Sequence, residues 1–262
     1  MDSAVLALDI GASSSRLSVQ AIDTGDELQR EVLPTQGTCF SDSLVSMTEV
    51  VKQFSRSYAL RAVGAGVAGV VKDGIMTGSS NLPDWVNRNL QTSFKTAFGI
   101  PAVVGNDCRM AAIGEYAALR RPLFYVIWGS GVGGTMVTDG GAAQDTEFGH
   151  ITIDPHSHLR CGCGGYGHLE AHVGGKGIVK RYGCEAEKLH SGQWGVVIKD
   201  MAIGLRSLSA LQMNVPVVLG GGVAIKQIDR LPQLQTIVNA LPSTCPPPKL
   251  LAATCGEDGG LI

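Results

Sequence analysis

One local design occurs twice in this chain: an apolar run, a turn of small residues and a returning strand, about 120 residues apart. Residues 4–9 (AVLALD) run apolar into Asp9, IGASSS makes the turn, and RLSVQAID returns. Residues 124–140 (FYVIWGSGVGGTMVTDG) repeat the pattern. Each copy reads as a β-hairpin with a tight, polar tip. Two such hairpins predict two related α/β lobes, assigned as residues 1–110 and 111–262. No linker marks the join, which the pattern places within residues 105–120.

The remaining segments fill in these lobes. Residues 42–58 carry a helical pattern with Leu44, Val45, Met47, Val50, Val51 and Phe54 on one face. Residues 61–70 read as a buried strand, NLPDW at 81–85 as a loop, and 86–98 as a helix. PAVVG is a strand that runs into Asn106-Asp107, and 108–119 is helical. In the second half, helices are expected over 174–182 and 197–212. A strand running into a triple-glycine turn and a helix start is expected over 215–226, and KLLAATCG is strand-like.

At 262 residues, 44% hydrophobic and 17% charged, the chain has ample material for a core. A net charge of −2 without a Lys/Arg run removes the electrostatic basis for nucleic-acid or membrane-surface binding. No apolar run approaches the roughly 20 residues of a membrane span. The N-terminus lacks the basic region of a signal peptide. Seven cysteines is an odd count, and Cys39, Cys108, Cys184, Cys245 and Cys255 are scattered, which fits a reduced, cytoplasmic protein. The 35 glycines are the compositional anomaly; such turns recur where backbone approaches a ligand, often a phosphate.

Several segments carry chemistry. An Asp at a strand end before a Gly-Ser turn, as in DIGASSSR, can hold a magnesium-bound water while the turn reaches phosphate oxygens; an ordinary polar hairpin is the plain alternative. GSGVGG at 129–134 lies between two strands, so it suits a phosphate-cradling hairpin better than a dinucleotide fold. Glycines in LGGGVA (219–224) admit a flat ligand or a phosphate, or close helix–strand packing. Asp107 is either a helix N-cap or a general base at the carboxyl end of a strand. An unperturbed Asp, near 3.9, is already ionised at neutral pH, so no large pKa shift is required. Asn81 can bond a polyol or shape its own turn.

Residues 147–170 (EFGHITIDPHSHLRCGCGGYGHLE) gather His150, Cys161, Cys163 and His168 around a Gly-rich turn. Two thiolates and two imidazoles suit a closed, tetrahedral and therefore structural zinc site. Glu147 and Glu170 bracket it. With His150 they supply hydrogen-bonding groups for sugar hydroxyls, or are plain surface charge.

Taken in order, these segments resemble the ROK family (repressors, open reading frames and sugar kinases) across nearly the whole chain. DIGASSSR looks like the first phosphate motif, with Asp9, Gly11 and Ser13 near Mg-ATP. NLPDW resembles the sugar loop, with Asn81 on the sugar. ND supplies the sugar-binding Asn106 and the catalytic Asp107. GSGVGG resembles the second phosphate motif, with Gly129, Ser130, Gly131 and Gly133. EFGH supplies Glu147 and His150 to the sugar. CGCGGYGHLE resembles the zinc motif that ends in the sugar-binding Glu170. LGGGV resembles the adenosine motif, with Gly220, Gly221 and Gly222.

The resemblance implies a two-lobe actin/hexokinase-like ATPase fold, with duplicated RNase H-like lobes and a cleft between them. It implies a cytoplasmic, ATP- and magnesium-dependent kinase for a hexose or N-acetylhexosamine, acting at the 6-hydroxyl, with a homodimer as its common assembly. A catalytically weak sugar sensor is the other reading. Several departures stand out. His168 replaces the usual third Cys, so zinc would be held by His150, Cys161, Cys163 and His168. Ala12 and Ser13 replace a common Gly and Thr. QDT at 144–146 replaces small residues and is expected to alter sugar preference. Relatives commonly continue past the position of Ile262 with an Ala-rich helix, and family repressors carry an N-terminal DNA-binding domain for which there is no room before the first strand.

Overall fold

The computed structural model describes residues 2–79, 81–211 and 214–254. The chain divides into two compact units, the first running to Ala111 and the second starting at Ala112.

The first unit opens with β1 (Asp2–Ile10), β2 (Ser14–Ala21) and β3 (Glu27–Pro34), then α1 (Phe40–Phe54) and β4 (Tyr58–Val67). A small antiparallel pair follows, β5 (Val70–Lys72) with β6 (Ile75–Gly78), then α2 (Leu90–Phe98), β7 (Ala102–Asn106) and α3 (Asp107–Leu119), which crosses into the second unit. The sheet order is β3-β2-β1-β4-β7. The β1/β2 and β2/β3 pairs are antiparallel, and β1/β4 and β4/β7 are parallel. β1 lies mid-sheet, so Ala4, Leu6, Ala7, Leu8 and Ile10 are all buried and its sequence is nearly continuously apolar.

The second unit contains β8 (Leu123–Trp128), β9 (Val132–Val137), β10 (Ala143–Thr146), α4 (Leu169–Val173), α5 (Gly175–Tyr182), α6 (Ser191–Ala210), β11 (Val217–Gly220), α7 (Gly222–Lys226), α8 (Leu231–Ala240) and β12 (Leu250–Ala252). Its sheet order is β10-β9-β8-β11-β12, again three antiparallel strands and then two parallel ones. The two sheets therefore share one wiring, as expected from the two hairpins.

Several expectations need correction. In α1 the buried positions are Phe40, Ser43, Met47, Val50, Val51 and Phe54, spaced at three and four, whereas Val45 is 59% exposed because it falls off that stripe. NLPDW is not a plain loop: Pro83–Trp85 form a turn of 3-10 helix with Leu82 and Trp85 fully buried. α2 starts at Leu90, not 86, since Asn87 has φ 66 and the Asn89 side chain caps Thr92 N–H. α6 starts at Ser191 because His190 and Gln193 form a reciprocal capping box. The strand expected over KLLAATCG is limited to Leu250–Ala252, and its last residues, Cys255 among them, lie outside those described.

The second core is dominated by α6. Trp194, Val197, Ile198, Met201, Ala202 and Leu205 pack with Phe124, Val126 and Trp128 of β8 and with Leu169 of α4. A Cβ at Gly204 would lie 2.6 Å from Leu169 Cδ2, so the missing side chain lets α6 receive α4 closely. Among the described residues, no helix is long and apolar enough to cross a membrane.

Candidate active site residues

In the first unit the chemistry gathers at the carboxyl ends of β1, β4 and β7. Asp9 on β1 pairs in register with Gly66 on β4, and Gly66 with Gly105 on β7. A Cβ at Gly66 would lie 3.2 Å from Asp107 Cα and 3.5 Å from Met110 Cβ, so the bare glycine sets how deeply Asp107 sits. The helix-capping role belongs chiefly to Asn106. Its Oδ1 accepts from Cys108 N–H at 2.9 Å and from Arg109 N–H at 3.4 Å, and its Nδ2 donates to Gly69 O at 2.9 Å. Asp107 Oδ1 accepts from Cys108 N–H at 2.8 Å.

Burial pushes the half-buried Asp107 carboxyl up to about 6 from 3.8. The Cys108 N–H and Asn106 oppose that rise, and the Asp9 charge adds to it. The expectation of an unperturbed carboxylate is thereby corrected. The shifted group is still largely ionised at neutral pH and lies nearer the operating range of a general base.

Asp9 forms an ion pair with Arg16, the residue directly opposite it across the β1–β2 hairpin. Its carboxylate is a hard oxygen donor at a strand end, the donor type that suits magnesium held through a water. Gly11 and Ser13 lie in the hairpin turn, closed by Gly11 N–H donating to Ser14 O at 2.9 Å; Ser13 O accepts from Thr35 N–H at 3.0 Å. Asn81 is exposed. In its loop, Trp85 is core, donating Nε1–H to Gln36 O at 3.2 Å, and Asp84 caps α1 by accepting from Phe40 N–H at 2.8 Å.

In the second unit the hairpin tip 129–131 is tied to the α4–α5 junction. Gly175 N–H donates to Gly129 O at 2.8 Å, Lys176 N–H to Ser130 O at 2.9 Å, and Trp128 Nε1–H to Val173 O at 2.7 Å. Gly129 and Ser130 share a cavity of about 600 Å³ with Gly175, Lys176, Gly222 and Val223, within the usual range for small-molecule sites. Gly133 pairs with Ile127 across the hairpin, behind the tip. Of the three consecutive glycines that begin at the end of β11, only Gly222 lines this cavity. A Cβ at Gly220 would meet the Tyr125 hydroxyl at 2.0 Å, and one at Gly221, whose φ is 88, would meet the Trp128 backbone at 2.8 Å. Close packing is what requires those two.

Glu147, His150 and Glu170 come together. His150 Nδ1 is 3.0 Å from Glu147 Oε2, and its Nε2 is 3.9 Å from Glu170 Oε1. Glu147 is 81% exposed in its side chain, against 26% for Glu170 and 35% for His150. Glu170 Oε2 accepts from Val132 N–H at 3.0 Å, and its Oε1 lies 3.5 Å from Cys161 Sγ.

Three of the four expected donors form a group that fits zinc, and His168 is not among them. Ligand atoms of His150, Cys161 and Cys163 lie within 4.8 Å of one another. Bonds of about 2.0–2.3 Å on a tetrahedral zinc would bring such atoms to about 3.3–3.8 Å, a small contraction. His168 Nδ1 stands 3.2 Å from Cys163 Sγ, and its ring fills the space over Gly165, where a Cβ would lie 2.4 Å from Cε1. A metal would take one ring nitrogen of His150 and leave the other for a hydrogen bond. Burial pushes the Cys161 thiol up to about 11; the Cys163 backbone N–H opposes the rise, while the Cys163 side chain and the Glu170 charge add to it, so this thiol stays protonated until a cation compensates.

Some residues of these sites escape sequence reading. Arg16 and Gly66 act across strands, where spacing along the chain gives no signal. Gly175 and Lys176 stand at the start of α5, where the Gly174-Gly175 pair was the one available hint of a close backbone approach.

Two five-stranded sheets of this wiring, bearing these residues, define a protein of the actin-like ATPase fold shared with ROK hexokinases. The chain belongs to the ROK family, whose model matches residues 5–262. It is 29% identical over 251 residues to the N-acetylmannosamine kinase of Salmonella typhi, covering 85% of this chain and 84% of that one. It is 30% identical over 200 residues to the N-acetylmannosamine kinase of Salmonella agona, covering 70% and 67%. Among solved structures, a ROK hexokinase from Thermus thermophilus superposes with a TM-score of 0.80 at 24% identity, covering 98% of this chain and 95% of that one. A ROK glucokinase from Streptomyces griseus, in complex with glucose and AMPPNP, gives 0.80 at 23% identity, covering 98% and 96%.

Proposed function

We propose that the chain is an ATP-dependent kinase that phosphorylates a hexose or N-acetylhexosamine at its 6-hydroxyl, with Asp107 as general base. Asp107 accepts the hydroxyl proton while the oxygen attacks the γ-phosphorus and ADP departs. Phosphoryl transfer asks for little covalent help, so positioning and charge neutralisation supply most of the rate. Asn81, Asn106, Glu147, His150 and Glu170 bind the sugar hydroxyls. Asn106 keeps one amide hydrogen beyond its backbone partners for this task.

The hairpin turns, through Gly11, Ser13, Gly129 and Ser130, receive the phosphates, and the cavity at Gly222 receives the adenosine. Bound magnesium supplies charge neutralisation on the phosphates, with Asp9 holding one of its waters. Zinc held by His150, Cys161, Cys163 and His168 is structural: it rigidifies the segment that carries His150 and leads into Glu170.

The observation that supports this reading most is the shared cavity, where three separate glycine segments (129–130, 175 and 222) meet within the second unit. The N-acetylmannosamine kinases among its relatives support a hexosamine or hexose as acceptor. A coupled assay over a panel of hexoses and N-acetylhexosamines, with ATP or polyphosphate as donor, tests it. Saturable phosphorylation of one panel sugar is expected; ATP hydrolysis indifferent to every sugar would refute the reading.

A further inference from the structure

Family resemblance places Gly131 among the glycines that make room for phosphate. Its surroundings give it another task. Gly131 is not among the glycines with positive φ, so its backbone accepts an L side chain without strain. What forbids one is Glu170. The three atoms nearest to a Cβ at position 131 would all belong to that residue: Oε2 at 2.4 Å, Cδ at 3.3 Å and Cγ at 3.9 Å. The next residue of the hairpin donates its backbone N–H to the same oxygen, Val132 to Glu170 Oε2 at 3.0 Å. From the other side, a Cβ at Gly174 would lie 3.2 Å from Gly131 Cα and 3.3 Å from Glu170 Cγ. The stem of Glu170 is thus packed among two side-chain-free backbones and anchored by one oxygen. The other oxygen, Oε1, is the one near His150.

We infer that Gly131, with the Val132 N–H, is a positioning element for the sugar-binding carboxylate of Glu170. The hairpin tip then has two jobs on adjacent residues. Gly129 and Ser130 line the cavity, while Gly131 and Val132 hold a sugar ligand in place. A carboxylate fixed through one oxygen enters binding with little side-chain entropy left to lose. The inference rests on the reading of Glu170 as a sugar ligand.

The test is kinetic, on the full chain, with Gly131→Ala, Glu170→Ala and the double variant. Gly131→Ala is expected to raise the apparent KM for the preferred sugar about tenfold or more, while the KM for ATP stays within about twofold. In the Glu170→Ala background the clashing group is gone, so Gly131→Ala should change the sugar KM less than about twofold. A parental sugar KM in Gly131→Ala, or an effect that adds in full to Glu170→Ala, overturns the inference. Should Gly131→Ala fail to fold, Glu170→Asp carries the test. It keeps the charge but withdraws it from Val132, so the sugar KM should rise at constant ATP KM, and an unchanged sugar KM overturns the inference. If the parent phosphorylates no panel sugar, the kinase reading fails on its own. A crystal structure of Gly131→Ala then decides the geometry: Glu170 displaced from the Val132 N–H supports it, and Glu170 in place refutes it.

Discussion

Asp107→Asn should make the protein slower and more stable at once. The carboxyl ionises at about 6 in the folded chain against an ordinary 3.8, chiefly because burial disfavours its charge. At about 1.36 kcal/mol per pH unit, keeping it ionised costs the folded state about 3 kcal/mol at neutral pH. The sign follows from proton counts. Below pH 3.8 both states carry the proton and the cost is absent. Between 3.8 and 6 the folded state binds more protons than the unfolded one, so stability falls as pH rises. Above 6 the full cost is in place. Asn cannot ionise, and its side-chain oxygen can still accept from the Cys108 N–H. The variant should therefore gain up to about 3 kcal/mol in denaturant or thermal melts at pH 8, with the gain shrinking to nothing near pH 4. Turnover should fall about 10²- to 10⁴-fold, the usual worth of a positioned base, with sugar affinity retained. In the parent, kcat/KM should fall as the pH drops through about 6. Equal stability of parent and variant from pH 4 to 8, or a parental rate in Asp107→Asn, would refute the reasoning.

Three further expectations follow from the same geometry. Gly66→Ala should press on Asp107 Cα and Met110, cutting kcat by about tenfold at a modest cost in stability, as melts and initial rates will show. Chelation or Cys161→Ser should release the His150 segment and raise the sugar KM, with zinc near one equivalent per chain by elemental analysis in the parent; full activity in a zinc-free protein would contradict this. Trp85→Ala should lose about 3–5 kcal/mol in denaturant melts, because its indole is fully buried against Phe40 with ring centroids 4.9 Å apart.

The parts of the fold legible in the sequence are those that state their own partners. The hairpins β1–β2 and β8–β9 could be read because small residues separate two apolar runs, and α1 because its stripe is periodic. The edge strands β3 (ELQREVLP) and β10 (AQDT) could not, since most of their side chains meet solvent and only their neighbours make them strands. The helix α8 leaves little trace in the sequence because only Leu234 and Val238 are fully buried in its ten residues. At the candidate site, the motif residues were visible as types. Their division of labour was not. That Asn106 rather than Asp107 chiefly caps α3, that Gly220 and Gly221 answer to Tyr125 and Trp128, and that Arg16 faces Asp9 are facts about neighbours far apart in the chain.

The seat of Leu169 on Gly204 has a consequence for how sugar preference changes. A five-residue helix such as α4 has too few internal hydrogen bonds to hold its own orientation. It takes its direction from Leu169, sunk into the core against α6, and Glu170 is the very next residue. The aim of that carboxylate is therefore inherited from hydrophobic packing. Substitutions at Gly204, Leu205 or Met201, none of which is a candidate sugar ligand, become levers on where the Glu170 carboxylate points. A selection for new acceptors that randomises only the sugar ligands would leave this whole axis of variation unexplored.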